Sequence, residues 1–375
     1  MSGVVGSRMS PRLAPALRAL LREGAERAEA AGEVDREALT ALRTSGLLAT
    51  AVPTEHGGAG RDAAAVNALV EQIAAVSPSM AIIAFQHFAV SARIADWGTA
   101  RQRARWLPRL ADGTWLAASA WSESGAGAAK QNLSTTAERR TDGTWVLNGS
   151  KAFTTGAGVA DLYLVLVRTA RPDAAPAAGY GAPGQTFFLV GADNPGLVPE
   201  LGLDLAGMRG SATGLVSLDG AVVADDDRLG PEGQAAGIIA SVRESGASLG
   251  AVSVGTAQAA LDLAVAHAHD RGLMDLPAVR HRLVGLATRL EAARAVVERA
   301  GARTSADPGL TTLHSKLHAT EAAEEICLDV ARMLGSAGYR DGARIGRLLA
   351  DARGVSLMGP TNDLCRELVA VSWTG

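Results

Sequence analysis

Hydrophobic positions fall into three successive patterns along the chain. From Pro11 to about Gly113 they recur at helical spacing, as Leu13, Leu17, Leu20 and Leu21, then Leu39, Leu42 and Leu47, then Val66, Leu69 and Ile73. This predicts a helical domain over residues 1–113. Pro53 and the Gly57-Gly58 pair interrupt it as a loop, and Ser77-Pro78-Ser79 supplies a cap before the apolar stretch around Ile82, Ile83 and Phe85. Residues 114–230 change to short β-rich runs: Thr144–Leu147, Leu162–Val167, Thr186–Val190 and Gly214–Leu218. Asn148-Gly149 reads as a hairpin turn, because both central residues of that turn need positive φ. Ala170–Gly184, rich in Ala, Pro and Gly, reads as a loop. Over residues 231–375 helical spacing returns, around Ile238–Arg271, Pro277–Ala302, Leu310–Leu334 and Ala343–Ser356. Asp307-Pro308-Gly309 and Gly335-Ser336-Ala337-Gly338 punctuate these stretches. Four long amphipathic helices suffice for a bundle, so the fold class is α+β: a small β-domain between two helical ones.

Composition narrows the partners. The 375 residues are 47% hydrophobic with a net charge of −3, and 36 Lys plus Arg nearly balance 39 Asp plus Glu. No basic run is interleaved with aromatics, so nucleic acid is not expected. No apolar stretch has signal-peptide or membrane-spanning length, which points to a cytoplasmic protein with no membrane partner. The two cysteines, Cys327 and Cys365, sit in helical patterns and read as small buried hydrophobes. His314 and His318 share a helix face with Glu321 nearby, but no third ligand is implied and no metal is expected. His267 and His269 point to different sides of their helix.

Three local motifs, in order, carry a family resemblance. Trp121-Ser122-Glu123-Ser124-Gly125-Ala126-Gly127 resembles a Thr-Glu-Pro-Gly-Ala-Gly stretch, Leu147-Asn148-Gly149-Ser150-Lys151-Ala152-Phe153-Thr154-Thr155 resembles Leu-Asn-Gly-Thr-Lys-Trp-Ile-Thr, and Gly207-Met208-Arg209-Gly210-Ser211-Ala212-Thr213 resembles Gly-Met-Arg-Gly-Ser-x-Thr. All three belong to the acyl-CoA dehydrogenase superfamily, whose order of helical domain, β-barrel or sandwich domain and four-helix bundle matches the patterning above. The resemblance implies FAD as cofactor. An isoalloxazine needs donors along its polar edge and at N5, with a flat wall against one face. It places Trp121, Ser122, Gly127, Phe153, Thr154 and Thr155 at the ring. Arg271, Met274, Arg282, Arg332, Gly335 and Ser336 would face the pyrophosphate and adenosine of a neighbouring subunit, and Thr361 and Asp363 follow at the last motif. The match is incomplete. Met274, Asp275 and Ala128 depart from the pattern, and the Asp275 carboxylate would weaken pyrophosphate binding unless Arg282 or Arg332 offsets it.

The largest departure concerns the base. Relatives follow an Arg-Asp-Ala-Lys-like helix, here Asp351-Ala352-Arg353, with Glu-Gly-Thr, whose Glu removes the substrate α-proton. This chain reads Gly359-Pro360-Thr361. The alternative family position, on the first long helix of the bundle, falls on Ser245, with Gly246 where an Arg follows. Glu244 is one residue earlier, about 100° around a continuous helix, and reads either as a base in a shifted register or as a solvated residue. His87, in Phe85-Gln86-His87-Phe88, reads as a base or a core histidine. The resemblance implies a homotetrameric, dimer-of-dimers flavoprotein acting on a small-molecule or carrier-protein-bound acyl substrate. Two activities stay open: desaturation of an acyl thioester with an electron-transfer partner, or a monooxygenase fed with reduced flavin by a flavin reductase. A scaffold without redox chemistry is the third alternative.

Overall fold

A computed structural model describes residues 11–125, 133–170, 181–201 and 203–373. The N-terminal helices are α1 (Pro15–Ala31), α2 (Arg36–Thr44), α3 (Ala63–Ala74), α4 (Pro78–Trp97) and α5 (Ala100–Ala111). Ser77 caps α4 as its sequence suggests, accepting the Met80 N–H at 3.3 Å. The strands are β1 (Ala117–Ala120), β2 (Thr136–Arg139), β3 (Trp145–Thr154), β4 (Leu162–Arg168), β5 (Gln185–Gly191), β6 (Leu197–Glu200), β7 (Gly214–Val223) and β8 (Arg228–Leu229). They form one sheet in the order β6-β7-β3-β2-β4-β5-β8, with β1 pairing β4 in parallel. Then follow α6 (Ala235–Glu244), α7 (Gly250–Asp270), α8 (Pro277–Ala302), α9 (Pro308–Leu334), α10 (Arg344–Leu357) and α11 (Asn362–Val371). Among the described residues no helix is long and apolar enough to cross a membrane.

Packing explains why β4 reads as an unbroken apolar run. Leu162, Leu164 and Leu166 join the core beneath α4 and α5, while Tyr163, Val165 and Val167 join the core on the sheet's other face. A strand covered on both sides carries no polar alternation. Helices α1 to α4 share one core with α7 to α10, so Leu69, Ile73 and Ile82 pack in the same cluster as Val254, Leu286 and Ile326.

Two expectations are corrected. Asn148-Gly149 is not a hairpin turn but part of β3, at a bulge in its pairing with β7 between Leu147 and Gly149. Gly149 has φ +136, and a Cβ there would lie 2.7 Å from Thr135 Cα; Asn148 Oδ1 accepts the Gly220 N–H at 2.8 Å. Neighbouring strands, not a turn, demanded the glycine. The stretch Ile238–Arg271 is likewise two helices. Gly246 at φ +82 breaks it, and a side chain there would meet the Ala300 carbonyl oxygen at 2.4 Å. Asn67 ties the break down, donating to Gly246 O at 3.0 Å and accepting the Ser248 N–H at 3.0 Å. Ala170–Gly184, expected as a loop, lies largely outside the described residues.

Candidate active site

A cavity of about 990 Å³ opens between the β-domain and the bundle. That is the size of a site holding a drug-sized ligand. Its β-side wall comes from the three motif stretches. Trp121 and Ser122 follow β1, Phe153 and Thr155 stand at the end of β3, and Met208, Ser211 and Thr213 lie in the turn before β7.

The polar groups of this wall are ordered by one another. Ser211 and Thr213 share a hydrogen bond of 2.7 Å, and the Thr213 hydroxyl donates to Thr155 Oγ1 at 3.3 Å. Thr155 therefore has its own proton left for an acceptor in the cavity. The backbone that presents these groups is constrained. Phe153, Met208 and Ala212 have φ of +52, +52 and +48, a conformation that costs a non-glycine residue about 1–3 kcal/mol. Phe153 is 63% exposed on the cavity wall, and the Ser122 carbonyl accepts the Ala152 N–H at 2.8 Å. Beneath lies an ion pair in which Lys151 Nζ meets Glu123 Oε1 at 2.7 Å, with both side chains buried. Glu123 also accepts from the N–H and hydroxyl of Ser134 and of Thr135, at 2.6 to 3.1 Å. Burial alone would raise the Glu123 carboxyl; the Lys151 charge and these hydrogen bonds outweigh it and bring it to about 2.

The helical wall is mostly apolar: Leu249, Leu310, Leu313, Leu357, Leu364 and Leu368. Its loop carries Gly359, Pro360 and Thr361 along the cavity. Lys316, buried on α9 and itself part of the cavity lining, holds that loop by donating to Met358 O at 2.9 Å, to Pro360 O and to Asn362 Oδ1 at 3.5 Å. Burial pushes its ammonium down to about 8, so it stays protonated at neutral pH. Three carboxylates line the cavity among the described residues: Glu123, Asp307 and Glu244. Glu123 is consumed by Lys151, and Asp307 caps α9 by accepting the Leu310 N–H at 2.8 Å. Glu244 is left with Arg243 at 3.5 Å, its side chain 46% exposed. It lies across the first turn of α9, where a Cβ on Gly309 would be 2.2 Å from Glu244 Oε1.

The sequence-derived candidates separate accordingly. His87 does not line the cavity. It is a core histidine, fully buried, accepting the Ala117 N–H on Nδ1 at 3.3 Å and pushed by burial down to about 4. Ser245 does not line it either; its hydroxyl donates back to Val242 O as the helix cap of α6. Glu244 and Ser245 both lie at the end of α6, before the break at Gly246, and of the two it is Glu244 that is a wall residue. Thr154 is buried and does not line the cavity, and Asp363 is an exposed partner of Arg366 at 2.7 Å. Gly127 and Ala128 lie outside the described residues. None of Arg271, Met274, Arg282, Arg332, Gly335 and Ser336 lines the cavity. Arg282 and Arg332 are not turned to Asp275: both pair with Asp329, at 3.8 and 3.2 Å, beside Arg289 at 2.6 Å.

Several site residues were not singled out from sequence. Glu123 and Lys151 each stood inside a motif, but nothing in one chain says that the two meet. Lys316 left a signal: it repeats in phase with Leu313, Thr320, Ala323 and Cys327 on the buried face of α9, a position where a lysine is buried only with partners.

The β-side wall fits an isoalloxazine. Trp121 Nε1 is buried at the wall with no hydrogen-bond partner among the described residues, Thr155 has a proton to give, and Phe153 offers an exposed aromatic face. Comparison with known proteins agrees. Residues 15–114, 118–221 and 238–373 match the N-terminal, middle and C-terminal domain models of acyl-CoA dehydrogenase. The chain is 30% identical over 355 residues to an acyl-CoA dehydrogenase of Bacillus subtilis, covering 92% of each. It is 31% identical over 337 residues to the L-prolyl-[peptidyl-carrier protein] dehydrogenase of Pseudomonas fluorescens, covering 87% of each. Its fold superposes on butyryl-CoA dehydrogenase from Megasphaera elsdenii with a TM-score of 0.86 at 24% identity, covering 98% of this chain and 100% of that one. With all three domains matched, the chain belongs to the acyl-CoA dehydrogenase superfamily and is a flavin-dependent oxidoreductase with FAD as its cofactor.

Proposed function

We propose that this enzyme desaturates an acyl group held as a thioester, on coenzyme A or on a carrier protein, with Glu244 taking the α-proton. The observation that carries the reading is the Glu244 carboxylate on the cavity wall, the least engaged of the three acids there. A base must reach the proton it removes, and such a positioned group contributes about 10²–10⁴-fold in rate. Gly309 leaves room for the carboxylate, and the leucines of the helical wall exclude water from an acyl chain. Ser122, Thr155, Phe153 and Trp121 would hold the flavin ring. The chemistry that FAD supplies when bound is acceptance of the hydride leaving the acyl β-carbon. The two relatives named above use, by their names, a coenzyme A and a carrier-protein thioester, which supports the substrate class without choosing between the carriers.

Arg271, Met274, Arg282, Arg332, Gly335 and Ser336 would meet the pyrophosphate and adenosine of a neighbouring subunit's FAD in a cytoplasmic dimer of dimers. That none of them lines this chain's own cavity is compatible with such sharing. Electrons would then leave to a redox partner protein. The second reading, a monooxygenase supplied with reduced flavin by a reductase, is favoured by Gly359, which contributes no carboxylate to the wall. Anaerobic mixing with acyl thioesters separates the two. Bleaching of the oxidised flavin absorbance in the parent and its loss in Glu244→Gln are expected; oxygen-dependent product formation with bleaching by no thioester would favour the monooxygenase.

A further inference from the structure

We infer that the buried Glu123–Lys151 pair is a positioning device that fixes Ser122 and Phe153 against the flavin ring. The inference rests on the assignment of those two residues to the ring. Three chain segments converge on the pair. Glu123 directly follows Ser122, Lys151 lies two residues before Phe153, and the Ser134 and Thr135 donors come from the segment entering β2. A further tie closes the arrangement, since the Ser122 carbonyl accepts the N–H of Ala152, the residue between Lys151 and Phe153. The device acts where the backbone is irregular. The pairing of β3 with β7 shifts register between Lys151 and Thr154, and Phe153 sits inside that shift at φ +52. A side chain in that conformation keeps it only when its surroundings over-determine it.

Stability alone does not account for the pair. Taking two charges out of water is costly, and apolar groups of the same volume commonly serve a core as well or better. What a pair with one cation, two backbone N–H groups and two hydroxyls on a single carboxylate does supply is one geometry, because each partner must keep its direction for all to be satisfied. Here that geometry passes to the residues on either side.

The test compares FAD affinity with folding in the holoenzyme. Lys151→Met leaves a buried carboxylate uncompensated and should lower both Tm and FAD affinity. Glu123→Gln with Lys151→Met removes both charges while Gln keeps acceptor capacity, so Tm should recover towards the parent. FAD Kd should stay raised by about tenfold or more, the loss of roughly one well-aligned hydrogen bond or its equivalent, and the reduction potential and visible flavin band should shift. Should the double variant not fold, Ser134→Ala and Thr135→Val each remove one donor to Glu123 and should raise FAD Kd in a graded way with little change in Tm, while Lys151→Arg restores part of the affinity. Recovery of Tm and FAD Kd together in the double variant, or FAD Kd that follows Tm in every variant, would overturn the inference. Phe153→Ala and Thr155→Val leave the pair intact and locate any failure. If they too leave FAD Kd and spectrum unchanged, the ring assignment is wrong; if they respond and the pair variants do not, the positioning role is wrong.

Discussion

The two walls of the cavity are built on different principles. On the β side, most polar groups are held by one another: Glu123 takes five hydrogen bonds, and the Ser211–Thr213–Thr155 hydroxyls form a chain, while Trp121 Nε1 has no partner among the described residues. On the helical side the wall is leucine, a loop with Gly359 and one lightly held acid, Glu244. All three motif stretches that resemble the family lie on the β side, whereas Gly359 and Ser245, the positions at which the resemblance leads one to expect a base, lie in the helical region. A wall that must present fixed donors to one cofactor admits few residue choices, whereas a wall that surrounds an acyl group asks mainly for shape and one base.

Perturbing each wall should give effects of different kind. The largest is expected for Glu244→Gln, which should slow anaerobic flavin bleaching by an acyl thioester about 10²–10⁴-fold while FAD affinity holds; equal losses of FAD would move Glu244 to the cofactor side. Lys316→Met should destabilise the fold by about 1–3 kcal/mol in urea titrations, because it strands the half-buried carbonyls of Met358 and Pro360. A change below about 0.5 kcal/mol would mean the loop is held otherwise.

His87, buried on α4 and off the cavity, gives a pH signature. Its folded value of about 4 lies below the ordinary 6.5, so the unfolded chain binds more protons in that window and stability falls as pH drops through it. The expected loss between pH 7 and pH 5 is about 2 kcal/mol, absent in His87→Gln. Persistence of the whole slope in that variant would assign it elsewhere. Gly359→Glu in the Glu244→Gln background should restore about tenfold in bleaching if the loop faces the acyl α-carbon. Thr155→Val should alter flavin reduction or reoxidation by about tenfold with little change in Tm. If Tm moves and the flavin kinetics do not, Thr155 belongs to the core and not to the ring.

Legibility in the sequence followed the same division. Domain order, most helices and the β-side motifs could be read because helical periodicity, Ser77 capping and short glycine-containing motifs are local. Asn148-Gly149 and Gly246 misled because their glycines answer to distant chain: Thr135 crowds Gly149, and the Ala300 carbonyl crowds Gly246. The consequence at Gly246 reached the site. The helix expected to run on through Glu244 and Ser245 ends just after them, at the break between α6 and α7, and Glu244 rather than Ser245 lines the cavity. His87 misled for the opposite reason, since a buried neutral histidine and a catalytic one look alike without the Ala117 N–H that occupies it.

The central claim, that Glu244 is the base of an acyl-thioester desaturase, is tested most directly by rapid-mixing absorbance under anaerobic conditions. The FAD-loaded parent and Glu244→Gln would each be mixed with straight-chain, branched and cyclic acyl thioesters on coenzyme A and on a carrier protein. The account predicts that at least one thioester bleaches the parent flavin and that the variant bleaches at least about 10²-fold more slowly with its FAD still bound. Bleaching of the variant at the parent rate, or of neither protein by any thioester, would contradict it.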